Sequence, residues 1–151
     1  MISSIALARK VLETEARAVQ AVGHRLGTAF DSAVRLLAAC RGRVVVTGMG
    51  KSGHIGRKIA ATLSATGTPA FYLHPAEGMH GDIGMMAKGD LVVAISYSGE
   101  TAELADLLPA IRRMRLPVIA LTGNPRSRLA RASRVALDIH VREEACPFGL
   151  A

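Results

Sequence analysis

The fold of this chain is predicted most directly by residues 91–101, which read Leu91-Val92-Val93-Ala94-Ile95-Ser96-Tyr97-Ser98-Gly99-Glu100-Thr101. The first five residues form a continuous apolar run, which is typical of a strand covered on both faces. A helical pattern follows over about 101–115, so the hydroxyl-rich turn should lie at a helix N-terminus. Amide groups there lack partners within the helix, and the helix dipole attracts anions. The turn therefore suits a phosphate group.

The same pattern recurs along the chain and predicts the fold class. Further apolar runs begin near Val44, Ala70, Val118 and Val135. Helical segments are expected between the runs, at about 53–66, 101–115 and 125–132, with a shorter one near 76–86. Alternating strands and helices predict an α/β fold with a doubly wound, five-stranded parallel sheet in a flavodoxin-like three-layer sandwich. In such sheets ligands bind at the carboxyl ends of the strands, near a switch in strand order.

Residues 2–40 have a helical pattern. Glycines at 23 and 27 predict two helices, with a break near residues 23–28, rather than one. The apolar positions recur at steps of three or four, at Val19, Val22, Leu26, Phe30, Val34 and Leu37. The domain prediction is a helical segment over residues 1–42 that packs on a domain over residues 43–151.

Composition limits the class of protein. At 151 residues and 50% hydrophobic, the chain can bury one core, and no apolar stretch approaches the roughly 20 residues of a membrane span. The N-terminus is too briefly apolar for a secretory signal, and Cys40 and Cys146 form no disulfide or metal framework. A reduced cytoplasm is therefore expected, without a membrane partner.

The net charge of +7 raises the question of nucleic-acid binding. The charge is dispersed, and no aromatic residues accompany its densest cluster, so a solvated helix face is favoured over a nucleic-acid partner. A basic surface also attracts anionic substrates. That cluster contains Arg126, Arg128, Arg131 and Arg134.

A second candidate phosphate-binding turn, Gly48-Met49-Gly50-Lys51-Ser52-Gly53, follows the apolar run at Val44. Its glycine spacing matches the dinucleotide fingerprint, but no acidic residue ends the next strand to hold a ribose. The Walker A pattern fails, because Val45 stands where its first glycine belongs. Two turns suited to phosphate binding, each at the end of a strand, indicate that the ligand is a phosphorylated small molecule.

From Val44 to Ala151 the chain resembles the sugar isomerase (SIS) domain of arabinose 5-phosphate isomerases. The resemblance rests on the hydroxyl-rich turn and on three further segments, which are 48–56, 74–82 and Glu144-Ala145-Cys146-Pro147. It implies reversible isomerisation of D-ribulose 5-phosphate and D-arabinose 5-phosphate for cytoplasmic Kdo and lipopolysaccharide synthesis, in a homotetramer, with no cofactor. It also implies a continuation beyond Ala151, so the domain is expected to be truncated before its last helix, and the chain by itself to be nearly inactive.

The resemblance also implies roles for individual residues. Phosphate binding is carried over to Ser52, Ser96, Ser98 and Thr101, and catalytic roles to Lys51, Glu103, Glu144 and His80. Aldose–ketose isomerisation through an enediol needs a carboxylate base and groups that shuttle protons between the oxygens, but no metal.

Each role has a structural alternative. Glu103 also suits a helix-capping carboxylate, Glu144 a solvated loop acid, Lys51 an exposed lysine, and His80 a hydrogen-bonded loop histidine. The three histidines His54, His74 and His140 are expected to be structural, and Cys146 is not expected to act as a nucleophile. The alternative function is a non-catalytic phosphosugar-binding regulatory domain.

Overall fold

The computed structural model describes residues 3–146 and 148, and its centre is one sheet of five parallel strands. The strand order is β2-β1-β3-β4-β5, so the direction in which strands are added reverses between β1 and β3. The predicted parallel sheet is confirmed, and each strand begins at the residue that its apolar run indicated. The strands are β1 (Val44–Gly48), β2 (Ala70–Leu73), β3 (Leu91–Ile95), β4 (Val118–Thr122) and β5 (Val135–Asp138).

Six α-helices and one 3₁₀ turn are described. The predicted break near residues 23–28 is confirmed, because α1 ends at Arg25 and α2 begins at Thr28. The short helix expected near 76–86 consists of α4 and a separate 3₁₀ turn, Asp82–Met85. The helices are α1 (Ser4–Arg25), α2 (Thr28–Ala38), α3 (Gly50–Ala65), α4 (Pro75–Met79), α5 (Ala102–Arg113) and α6 (Arg128–Ala132).

The core lies on both faces of the sheet, because successive side chains of a strand point to opposite sides. Val45, Val92 and Ala94 pack on one face with α5. Val44, Val46 and Val93 pack on the other face with α2 and α3. The result is the predicted three-layer sandwich, in which the central strands are apolar at nearly every position because both faces are covered.

Helix α1 has a different environment from the other long helices. Thr14 is its buried residue, and Arg25 Nε forms an ion pair with the Asp138 carboxylate at 3.2 Å. Large apolar side chains of α1 are exposed, including Leu12 and Val19. Among the described residues, no helix is both long enough and apolar enough to cross a membrane.

Candidate functional site

The two turns singled out in the sequence leave the sheet side by side. Strands β1 and β3 pair in parallel, and their last residues, Gly48 and Ile95, are partners in the register. A Cβ at Gly48 would lie 2.9 Å from the Ile95 carbonyl oxygen, so the two strand ends approach as closely as a glycine permits. This pair of strands is the point where the strand order reverses, which is where open α/β sheets bind ligands.

The glycine-rich turn leads directly into α3. Met49 is the N-cap, and Gly50 has a φ of 53°, a left-handed conformation that favours glycine. A Cβ at Gly53 would lie 2.8 Å from the Gly48 carbonyl oxygen, so the turn folds tightly onto the strand end. Lys51 is exposed and Ser52 half-buried in the first turn of α3, where amide groups lack acceptors within the helix.

Tyr72 supports this turn from the neighbouring strand β2. Its hydroxyl donates a hydrogen bond to the Gly48 carbonyl oxygen at 2.6 Å, and the Arg57 guanidinium lies 4.2 Å from its ring centroid. Burial raises the pKa of the Tyr72 phenol, against an opposing effect of Arg57, so the hydroxyl remains a donor. The sequence analysis did not identify Tyr72. The feature that could have drawn attention to it is a tyrosine within the apolar run of β2.

The hydroxyl-rich turn is held closed by Ser96. Ser96 is buried, and its Oγ accepts a hydrogen bond from the Gly99 amide at 3.0 Å and lies 2.8 Å from Thr101 Oγ1. Ser98 is exposed, and its Oγ accepts from the Glu100 amide at 3.2 Å. Thr101 is the N-cap of α5. The three predicted phosphate ligands are therefore together, but Ser98 is the one that faces solvent.

The turn is also joined to the N-terminus of α6. The Glu100 carboxylate accepts a hydrogen bond from the Arg128 amide at 2.9 Å and forms an ion pair with Arg128 Nε at 3.3 Å. Gly99 has a φ of 67°, and a Cβ there would overlap the Ser127 side chain. The Gly99 carbonyl oxygen accepts from the Leu129 amide at 3.1 Å. Glu100 thus fixes the turn, a role that its sequence position did not reveal.

Glu103 lies half-buried in the first turn of α5, two residues after the N-cap Thr101. Within the part of the chain that the structure describes, its carboxylate forms no ion pair with a basic side chain. The adjacency of β1 and β3 puts Glu103 at the same edge of the sheet as Lys51.

Glu144 and His80 lie in other surroundings. Glu144 is exposed and lines a cleft of about 520 Å³ beside α1, with Thr14 and Ala18. His80 is exposed at the C-terminal end of α4, where its amide donates to the Glu77 carbonyl oxygen at 3.0 Å. The structure therefore brings together the residues of the two turns, with Glu103, whereas Glu144 and His80 are exposed residues of other segments.

Tyr97 connects the hydroxyl-rich turn to the segment that carries Glu144. Its hydroxyl oxygen lies 3.2 Å from the Val141 amide, 3.3 Å from the Val141 carbonyl oxygen and 3.4 Å from His140 Nδ1. The Tyr97 ring fills the space over Gly123, where a Cβ would lie 2.7 Å from the ring. This contact spans more than forty residues of sequence, so no local pattern predicts it.

Two buried polar atoms near the same edge have no hydrogen-bond partner among the described residues. They are Thr47 Oγ1 and His74 Nδ1, at and just beyond the carboxyl ends of β1 and β2. Buried polar atoms are nearly always hydrogen-bonded to the protein or to ordered water, so an ordered water molecule is the expected partner of each. The described residues contain no group of three or more His, Cys, Asp or Glu side chains suited to a metal ion.

Comparison with known proteins is consistent with this geometry. The model of the SIS domain family matches residues 36–151. The chain is 54% identical over 144 residues to arabinose 5-phosphate isomerase KdsD of Pseudomonas aeruginosa, and 48% identical over 143 residues to arabinose 5-phosphate isomerase KdsD of Escherichia coli K12. Each match covers 95% of this chain and 44% of the relative, so the chain spans less than half the length of these curated relatives.

Among solved structures, the chain is similar to an Escherichia coli CFT073 protein that was determined in complex with arabinose 5-phosphate. The two share 42% sequence identity with a TM-score of 0.93, and the match covers 97% of this chain and 78% of the other.

Proposed function

Because this chain belongs to the SIS domain family, we propose that its two adjacent turns bind the phosphate of a pentose phosphate and that the protein interconverts D-ribulose 5-phosphate and D-arabinose 5-phosphate. The observation that carries the proposal is the register of Gly48 with Ile95, which joins the two turns at the switch point. The similarity to arabinose 5-phosphate isomerases, and to a protein solved with arabinose 5-phosphate, supports the substrate class.

In this proposal the phosphate lies between the N-terminal ends of α3 and α5. Ser52, Ser98 and the amides of both first turns donate hydrogen bonds to its oxygens, aided by two helix dipoles. Thr101 contributes its hydroxyl at the N-cap, while the buried Ser96 holds the turn in shape. Lys51 adds a positive charge at the same edge, on the first turn of α3. No metal or organic cofactor is needed for this binding.

The isomerisation moves one proton between two carbons. A carboxylate removes a proton from C1 of the ketose, the electron pair forms the C1–C2 double bond of a cis-enediol, and O2 gains a proton. Reprotonation at C2, with loss of the proton on O1, completes the aldose. Glu103 and Glu144 are the proposed carboxylates, and Lys51 stabilises the negative charge that develops on the enediolate. His80 is the proposed proton shuttle.

Glu144 requires a change of environment to act as the base, because it now lies beside α1. Val141 precedes Glu144 by three residues. Its hydrogen bonds with Tyr97 hold the segment that carries Glu144 against the hydroxyl-rich turn. Glu103 is already in the first turn of α5. This arrangement supports Glu103 as a group that contacts the substrate, while Glu144 remains our first choice for the base that forms the enediol.

The exposed face of α1 supports the proposed homotetramer. Ile5, Leu12 and Val19 of α1 and its C-cap residue Leu26 are spaced seven residues apart and are 54–72% exposed. A seven-residue apolar repeat on a helix is the pattern of a seam between helices, so a second copy of this chain is the proposed occupant. The associated proposals are a cytoplasmic location and a role in Kdo and lipopolysaccharide synthesis, with no nucleic-acid or membrane partner.

Turnover measured by NMR tests this function. D-Ribulose 5-phosphate is incubated with the full-length protein, and the spectrum of D-arabinose 5-phosphate is expected to appear. Replacing the acid in Glu103→Gln should lower the rate by about 10²–10⁴-fold, the usual contribution of an acid–base group, and leave calorimetric binding of the sugar phosphate intact. Binding without turnover in the full-length, folded protein would contradict the proposed enzyme activity and favour the non-catalytic phosphosugar-binding alternative.

A further inference from the structure

A second cleft, of about 1250 Å³, lies between α5, α6 and the start of β4, and arginines dominate its lining. Asp106 is the carboxylate among its described lining residues. Arg128 forms an ion pair with Glu100 of the hydroxyl-rich turn, so it marks the end of the cleft nearest that turn. The amide of Arg134 donates to the Val118 carbonyl oxygen at 2.8 Å, which puts the other end at the amino edge of the sheet. The arginines are Arg112, Arg113, Arg115, Arg128, Arg131 and Arg134.

Most of this positive charge is not compensated within the protein. Among the described residues, Arg128 pairs with Glu100, whereas no carboxylate pairs with the other five arginines. Arg112 and Arg113 lie in the last turn of α5, where cations complement the helix dipole. Arg115 and Arg134 lie outside any helix. Like charges around a concave surface repel each other and create a strong positive potential. A bound anion lowers that repulsion.

The remaining lining of the cleft is not that of a simple anion site. Leu36, Leu108 and Pro117 are half-buried and contribute apolar surface. Pro109 lies inside α5 and has no N–H, so it cannot donate to the carbonyl oxygen of Ala105, which also lines the cleft. The cleft thus combines guanidinium donors with an apolar surface and with acceptors on Ala105 and Asp106.

We propose that this cleft binds a nucleoside triphosphate. Arginine presents a planar set of donors that matches phosphate oxygens and stacks on flat rings. The apolar surface suits a base, and the acceptors suit ribose hydroxyls or a base amino group. The volume exceeds that of a typical small-ligand pocket, roughly 300–1,000 Å³, so a pentose phosphate alone would leave it mostly empty. A nucleic-acid strand is disfavoured, because the arginines converge on a cleft whose described lining contains no aromatic residue.

Calorimetric titration of the protein with ATP, tripolyphosphate and adenosine tests the proposal. ATP should bind more tightly than tripolyphosphate, and adenosine most weakly, because phosphate and base both contribute. The variant Arg113→Gln with Arg134→Gln should weaken ATP binding by about tenfold or more, since hydrogen bonds to charged groups are the strong ones. Its affinity for D-arabinose 5-phosphate should not change, which separates this cleft from the site at the two turns.

A control variant separates local contacts from net charge. Arg9→Gln with Arg41→Gln removes two exposed arginines that do not line the cleft, and so lowers the net charge by the same amount. It should retain ATP affinity, and circular dichroism melting should show that both variants fold. Equal losses in the two variants, tripolyphosphate binding as tight as ATP, or no ATP binding by the unmodified protein would each overturn the proposal.

Discussion

At the scale of single residues, Ser96 and Ser98 have different surroundings within one turn. Ser96 is 3% exposed, and its hydroxyl is hydrogen-bonded to the Gly99 amide and the Thr101 hydroxyl, whereas Ser98 is exposed. Ser98→Ala should therefore weaken sugar-phosphate binding by about 1.5–3 kcal/mol with little change in melting temperature. Ser96→Ala should lower both the affinity and the melting temperature. Calorimetry and thermal unfolding measure the two effects.

Ser3 offers a matched control for these serines. Its Oγ also accepts a hydrogen bond from a backbone amide, that of Ala6 at 3.2 Å, but it caps α1 far along the chain from the turn. Ser3→Ala should leave sugar-phosphate affinity unchanged. If the double variant Ser96→Ala with Ser98→Ala keeps the affinity of the unmodified protein, the phosphate does not lie at this turn.

The hydroxyl of Tyr97 is predicted to anchor the segment that carries Glu144. Tyr97→Phe keeps the ring over Gly123 but removes the acceptor of the Val141 amide hydrogen bond. Exchange of the Val141 amide with deuterated solvent should therefore become faster, as measured by NMR. Tyr72→Phe is the control, because its hydroxyl bonds to Gly48 and not to this segment. Unchanged exchange at Val141 in Tyr97→Phe would show that this anchor is absent in solution.

At the scale of elements, the close approach of β1, β3 and α3 depends on glycine. Cβ atoms at Gly48 and Gly53 would lie within 2.9 Å of backbone carbonyl oxygens, which cannot move without disturbing the sheet or the helix. Gly48→Ala and Gly53→Ala should each lower the free energy of unfolding by about 1–3 kcal/mol or more, as overpacking does, and weaken ligand binding. Chemical denaturation measures the stability of each variant.

Gly23 is the contrasting glycine. It lies in α1, and a Cβ added there would have no neighbouring atom within 4 Å, so Gly23→Ala gains helix propensity without a clash. Its free energy of unfolding should rise by up to about 1 kcal/mol. A loss of stability in Gly23→Ala as large as in Gly48→Ala would mean that backbone crowding is not what distinguishes the turn.

The elements were predictable from the sequence because their signals are local. Continuous apolar runs identify buried strands such as β3, and Gly23 and Gly27 mark the break between α1 and α2. The positions of both turns follow from the strand ends. The supporting contacts were not predictable, because Tyr72 with Gly48 and Tyr97 with Val141 join residues that only the folded sheet brings together.

For Glu144 and His80, the family resemblance predicts a role, whereas the structure gives only a position. The resemblance implies a catalytic role for both residues. In the structure Glu144 lines a cleft beside α1, and His80 ends the short helix α4. The position of a loop residue depends on what packs against the loop, and neither spacing nor periodicity encodes that. Their roles therefore stay predictions, whereas the adjacency of the two turns is a feature of the structure.

At the scale of the whole molecule, the apolar face of α1 predicts self-association. Light scattering at micromolar concentration should show a species larger than a monomer, with a tetramer expected. Leu12→Lys with Val19→Lys places charges in the seven-residue repeat and should dissociate it, because an unpaired charge in an apolar interface is costly. Glu13→Lys with Gln20→Lys, on neighbouring exposed positions of α1, is the control. A monomer in the unmodified protein would contradict this assignment of the surface.

The central claim is that the turns after β1 and β3 form one phosphate site. The most direct measurement is a titration of ¹⁵N-labelled protein with D-arabinose 5-phosphate, followed through the amide resonances. The account predicts saturable shifts in both turns together, at Gly50–Ser52 and at Ser98–Thr101, with smaller changes elsewhere. Shifts confined to one turn, or centred on the arginine-lined cleft at Arg113 and Arg134, would contradict it.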